Sequence, residues 1–336
     1  MLCRTANELF WMSRHIERAE NTARMLDVTY RMSLLPYEVI EPGLAWAEPW
    51  AVPLITSGLA TGYYERYPEL SAENVLRYTI LDATNPSSIF CCLRAARESA
   101  RSVRGAITSE MYEDLNSAWL EVRGYDYARL EAGGVSEFLD WVKMRSHLFR
   151  GVTVGTLLRD EAFHFIRLGT HLERADNTAR ILDVKYHTLL PSAADVGGAV
   201  DYYQWGALLR SVSGFEAYRK IYSDVITPRR VAELLILRDD VPRSLHACMN
   251  DIYDILRNLS DDSQLEAERL AGELHARLHY GRTQQIFDVG LHEYLMDFLE
   301  GISNVAGEIN REFLVPVSAH PEAAQTQTQT QTTYSA

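Results

Sequence analysis

One amphipathic segment occurs twice in this chain. Residues His15 to Val28 read H-I-E-R-A-E-N-T-A-R-M-L-D-V, and 156 residues later His171 to Val184 read H-L-E-R-A-D-N-T-A-R-I-L-D-V. The unequal pairs, Ile16 with Leu172, Glu20 with Asp176 and Met25 with Ile181, keep size class or charge, although the surrounding sequence has diverged. At about 100° per residue, Ile16, Ala19, Ala23, Leu26 and Tyr30 fall in one arc, and Leu172, Ala175, Ala179, Leu182 and Tyr186 do the same. Both copies are therefore predicted to be helices with a buried stripe, and the small alanines at its centre would let a second helix approach closely.

The opposite face is the more constraining one. Glu17, Asn21 and Arg24 lie together there, with Glu20 and Asp27 leading back toward the apolar edge. Pairs such as Glu20 with Arg24 and Arg24 with Asp27 would contribute only about 0.3 to 0.5 kcal/mol each if exposed. So small a gain does not account for a polar face held constant in both copies. The face is predicted to be covered, by another helix or by a ligand.

The correspondence extends beyond the motif. Ser57-Gly58 matches Ser213-Gly214, Val75 matches Val231 and Pro86 matches Pro242, all at the same spacing. Phe138-Leu139-Asp140-Trp141 and Leu295-Met296-Asp297-Phe298 read as one element shifted by a residue. Helical periodicity is expected from Arg4 to Leu34, then near Ser109 to Arg123, Val135 to Val154, Pro242 to Leu259, Asp262 to Tyr280 and Gly290 to Phe313. The second motif helix is expected to end near Leu190. Asn85 is expected to cap the helix that begins at Pro86. No stretch alternates with period two, so no sheet is expected. The predicted fold is all-α, with two tandem homologous helical-bundle domains over residues 1–157 and 158–315. A loop carrying Trp46 and Trp50 is expected to pack over the first bundle, and the Gln/Thr-rich tail, 316–336, is expected to be disordered.

Net charge is −13 with no run of Lys or Arg, which makes nucleic acid and anionic membrane poor partners. Cys3, Cys91, Cys92 and Cys248 form neither a C-x-x-C pair nor a regular framework, and the N-terminal sequence has no signal-peptide core. A cytoplasmic location is expected. There is no Walker or dinucleotide glycine pattern and no G-x-S-x-G elbow, so no cofactor is expected and any ATP chemistry would belong to a partner.

The two H-[IL]-E-R-A-[ED]-N-T-A-R segments, together with N-P-S-S-I and A-A-R-E-S-A-R-S-V-R, closely resemble the bacterial alpha-E family. That family is an all-helical domain with a Glu-Arg motif, here Glu17-Arg18 and Glu173-Arg174. The resemblance implies association with a circularly permuted ATP-grasp ligase, a transglutaminase-like protein and an Ntn-hydrolase-type peptidase. It implies an accessory or binding role in ATP-dependent peptide synthesis or modification. Val241-Pro242-Arg243-Ser244 departs from the first half's Asn85-Pro86-Ser87-Ser88, so a site at this place is expected in the first half.

Two readings of the polar face remain. In one, a buried ion network clamps the first helix to the helix bearing Arg94, Arg97, Arg101 and Arg104. In the other, Arg18, Arg24, Arg97, Arg101 and Arg104 hold a carboxylate or phosphate while Glu17 holds an amine, with Asn21, Glu173, Arg174, Asn177 and Arg180 as further candidates. Catalysis would use Glu17 or Glu173 as general base, or His15. A metal site would want Glu-x-x-His on paired helices, and Glu161 with His164 has that spacing, but the first half offers no match. His275 and His279, near Glu268 and Glu273, lack a third ligand in sequence and read as a solvated face. No metal is expected.

Overall fold

The computed structural model describes residues 1–34, 49–187, 198–259 and 265–315. The loop with Trp46, the end of the second motif helix at Leu190 and the tail 316–336 lie outside them. Among the described residues the chain is helical and contains no strand. The first motif helix, α1, spans Cys3–Ser33. It is followed by α2 (Ile89–Ser102), α3 (Ser109–Val122) and α4 (Val135–Thr156). The second motif helix, α5, spans Glu161–His187, and α6 (Leu245–Leu259), α7 (Glu266–His279) and α8 (Leu291–Ile309) complete the set. Each of the last four begins within two residues of a 156-residue displacement from its earlier counterpart.

Local chemistry sets the helix starts. The Ser88 hydroxyl accepts from the Cys91 amide, and at the same place in the second half Ser244 accepts from the Ala247 amide. Asn85 is thus not the cap: its carboxamide accepts from the Ser87 amide and donates to the Tyr78 carbonyl, and α2 begins three residues beyond Pro86. Gly134 and Gly290, at φ +91° and +107°, immediately precede α4 and α8; a residue with a Cβ would be strained at either. Their equivalence removes the one-residue shift expected for this element. Phe138 and Leu139 are buried, as are Tyr294 and Leu295, in direct 156-residue register.

Packing follows a ring in each half. Helix α1 packs on α2 and α4, and α3 closes the ring between those two; α5 packs on α6 and α8, and α7 closes that ring. The rings meet where α1 lies along α5, and Ala51–Thr56 packs on α5 while Ala199–Ser211 packs on α1. The buried hydrophobic residues of both halves form one continuous cluster. Ala19, Ala23, Ala175 and Ala179 are fully buried, as the stripe requires. A further close approach occurs at Gly169, where a Cβ would collide with the Phe10 carbonyl oxygen and the Ser13 hydroxyl of α1. No helix among the described residues is long and apolar enough to cross a membrane.

Candidate functional site

Where α1 lies along α5, the two Glu-Arg motifs pair with each other. Arg174 donates through Nε and Nη2 to the two carboxylate oxygens of Glu17, each at 3.0 Å. Arg18 donates in the same way to Glu173, at 2.6 and 3.0 Å. Each motif's glutamate thus holds the other's arginine in a bidentate fork, the geometry in which guanidinium and carboxylate bind most strongly. The polar face is covered, as expected: Glu17 is 1% exposed, Glu20 0% and Glu173 6%.

What covers it differs from expectation. The arginine stripe of α2 takes no part: Arg97 bonds Asn116 and Glu98, Arg101 bonds Glu98, and Arg104 lies over the Tyr112 ring. The charges come instead from α4 and from the residue two before α6. Arg150 donates to Glu17 at 3.0 Å and to Glu20 at 2.5 Å. Arg243 donates to Glu17 at 2.8 Å, to Asn21 at 2.9 Å and to Glu20 at 2.7 Å. Arg24 pairs with Glu20 as expected. Asp27 pairs with Arg31 and Lys143, not with Arg24.

Burial alone would raise the Glu17 pKa, but Arg174, Arg243 and Arg150 outweigh it and hold the carboxyl at about 2. Burial likewise opposes ionisation of Glu173, and Arg14 and Arg18 hold it below its ordinary range. A general base works best with a pKa near the working pH. Both are strongly ion-paired, and Glu17 is also sealed, so Glu17 and Glu173 are poor candidates for that role. His15 is held at about 4, by burial first and then by Arg18, so it is neutral near pH 7. The Glu161–His164 spacing assembles no metal site: Glu161 pairs with the N-terminal amine at 2.6 Å, and no group of three candidate ligands forms around it among the described residues.

Two cavities flank the paired motifs, one on each side, and their linings correspond at the 156-residue spacing. The cavity beside Glu17, about 440 Å³, is lined by Arg24, His147, Arg150, Arg174, Ser213 and Arg243. Its counterpart beside Glu173, about 540 Å³, has Arg180, Ser303, Ala306, Arg18, Ser57 and Ser87 in the same places. Ala306 and Ser87 thus stand where Arg150 and Arg243 reach into the network of the other side. The larger cavity also presents Arg14, Asn21, Asp176 and Asn177. Arg14 donates to Glu173 at 2.8 Å, and Arg180 forks onto Asp176 at 2.8 and 3.0 Å. The Asn21 amide nitrogen is buried without a partner.

Of the sequence candidates, the structure gathers Arg18, Asn21, Glu173, Asn177 and Arg180 at the larger cavity and Arg24 and Arg174 at the smaller. Glu17 is sealed, and Arg97, Arg101 and Arg104 lie elsewhere. Arg14, Asp176, Arg150 and Arg243 were not anticipated. For Arg150 and Arg243 the signal was available where the halves disagree, against Ala306 and Ser87.

The chain is 24% identical over 319 residues to an uncharacterized protein of Mycobacterium bovis and, to the same degree, to one of Mycobacterium tuberculosis. The match covers 89% of this chain but only 35% of each relative, so the chain spans about a third of their length. No solved structure matches it. Residues 1–314 match Alpha-E, described as a predicted alpha-helical domain with a conserved ER motif, and the chain belongs to that family.

Proposed function

We propose that this protein is a binding component of an ATP-dependent peptide synthesis or modification system, working with a circularly permuted ATP-grasp ligase and a transglutaminase-like protein. We also infer that the chain is a tandem duplication whose two copies have diverged, Arg150 and Arg243 reaching into the ion network at one cavity where the other has Ala306 and Ser87. The observation that carries the functional reading is the cavity of about 540 Å³ beside Glu173. Its size suits a small ligand. Arg14, Arg18 and Arg180 face it together with Glu173 and Asp176, an excess of one positive charge with both signs present. A peptide terminus or amino acid carries a carboxylate for the guanidinium groups and an amine for Asp176. The paired glutamate and arginine motifs form the floor that holds these groups in place. An enzymatic role with Glu17 or Glu173 as general base is less well supported, because both carboxyls are committed to ion pairs.

Calorimetric titration with short unblocked peptides tests the reading. Arg180 and Asp176 are substantially solvent-exposed, so Arg180→Ala and Asp176→Asn should fold normally and weaken binding at least tenfold. Co-purification with a co-encoded ATP-grasp protein tests the partnership. Failure of peptides to bind the wild-type chain, alone and with that partner present, would remove the proposal.

A further inference from the structure

Away from the paired motifs, three histidines converge between α6 and α7. His246 lies in the first turn of α6, and His275 and His279 lie one turn apart near the end of α7. Each offers a ring nitrogen, and the three nitrogens lie within 4.8 Å of one another. The ring centroids are 5.5 to 5.9 Å apart in every pair. By spacing alone His275 and His279 read as a solvated face for want of a third ligand. The fold supplies it from 29 residues upstream of His275.

We propose that His246, His275 and His279 form a binding site for a divalent transition-metal ion of the zinc class. Two independent observations carry this beyond the clustering. The first is His246 itself, only 5% exposed. Its Nδ1 lies 2.8 Å from the Leu237 carbonyl, which can only accept, so Nδ1 carries the proton and Nε2 holds a free lone pair. That Nε2 is buried without a hydrogen-bond partner. Leaving such a group unsatisfied costs about 1 to 3 kcal/mol. A histidine whose one nitrogen is fixed by a backbone carbonyl is the usual form of a metal ligand, because the bond sets both tautomer and ring orientation.

The second observation is the other half of the chain. Phe90, Trp119 and Arg123 stand at the positions equivalent to His246, His275 and His279, and the Phe90 and Trp119 rings pack at 5.1 Å. Packing at this junction is met there by an apolar aromatic pair. Three imidazoles in its place add nitrogen ligands that packing does not require. The surroundings also orient the site: Tyr253 stacks on His275 at 5.1 Å, and Gly272 has no Cβ to obstruct that tyrosine.

A zinc ion with nitrogen ligands at about 2.0 to 2.1 Å requires roughly 3.4 Å between them, so closure takes ring movements of about 1 Å. His279 is exposed and His275 half-buried, which leaves both free to turn. Imidazole ligands with no thiolate or carboxylate suit zinc, copper or nickel over magnesium or calcium. The bound ion would tie the start of α6 to the end of α7 and keep a fourth coordination position toward solvent.

The test is a titration of untagged, chelator-stripped full-length protein with Zn²⁺ against a chromophoric competitor, with thermal melts alongside. One equivalent is expected, with the melting temperature raised by about 4 °C at a free zinc of 100 times Kd. His275→Ala and His279→Ala should each weaken binding at least tenfold and cut the rise to about half or less. The triple variant His246→Phe, His275→Trp, His279→Arg installs the first half's residues and should fold while taking up no zinc. Absence of stoichiometric uptake by the wild type, or uptake that survives His275→Ala with His279→Ala, would overturn the proposal.

Discussion

Replacing Glu17 by Gln probes the centre of the molecule while leaving its shape almost unchanged. The Glu17 carboxylate accepts four hydrogen bonds, two from Arg174 and one each from Arg150 and Arg243, at 2.8 to 3.0 Å. A carboxamide keeps one acceptor oxygen and turns an N–H group toward donors that cannot accept. The substitution therefore loses at least half of these bonds and leaves guanidinium charge short of its counterion in a region closed to water. Breaking a buried ion pair from one side costs about 3 to 5 kcal/mol. For a folded unit of roughly 300 residues, 1 kcal/mol corresponds to about 1.5 °C in melting temperature. Glu17→Gln should accordingly lower Tm by about 5 to 8 °C. The assay is differential scanning calorimetry at pH 7 beside Glu113→Gln, an exposed glutamate on α3 whose replacement should move Tm by less than about 1 °C. A Glu17→Gln protein that melts with the wild type would refute the structural role and return Glu17 to consideration as a catalytic group.

Further outcomes follow from the same geometry. Gly169→Ala should destabilise the protein by about 1 to 3 kcal/mol in chemical denaturation, because the added methyl meets the Phe10 carbonyl and Ser13 across the helix crossing. Arg101→Ala, on the exposed stripe of α2, should change stability by less than about 0.5 kcal/mol and leave peptide binding unaltered. Acid should act in two stages. His15, held at about 4, stays neutral in the folded chain while the unfolded chain takes up a proton below about 6.5, so stability falls by about 3 kcal/mol between pH 6.5 and 4. Burial lowers His171 in the same direction and adds to that loss. Glu17, held at about 2, contributes stability that is complete above pH 4.5 and is lost as pH falls from there toward 2. Urea melts across this range should show a decline that begins before any carboxylate of ordinary pKa is protonated.

Much of this architecture was legible in the repeated segment. A polar face unchanged in two diverged halves had to touch something other than water, and Glu17, Glu20 and Glu173 are buried accordingly. Period-3.6 patterning located the long helices because each buries one stripe, but the register of the last helix in each half, set by Gly134 and Gly290, was read one residue out. The partners of the polar face were harder to foresee. Arg150 is 133 residues from Glu17 and Arg243 is 226 residues away, distances over which no helical spacing rule operates. The arginine stripe of α2, which the second half does not repeat, invites the same role by its spacing but lies on an exposed face. The informative positions were those that fail to repeat. Arg243 departs from the Ser87 of the first half, and its guanidinium bonds Glu17, Asn21 and Glu20. The same comparison, made at Phe90 and Trp119, would have singled out His246 and His275.

In the proposed reading the ligand takes the larger cavity, beside Glu173, which lacks the two arginines that Arg150 and Arg243 bring to the smaller one. Ala306→Arg probes this, because it brings to the larger cavity the residue that Arg150 supplies on the other side, facing Glu173 and Asp176 as Arg150 faces Glu17 and Glu20. Calorimetric titration with a short unblocked peptide should show one site per wild-type chain and at least a tenfold loss of affinity in Ala306→Arg, with the melting temperature retained. Equal affinity in the two proteins would contradict the claim.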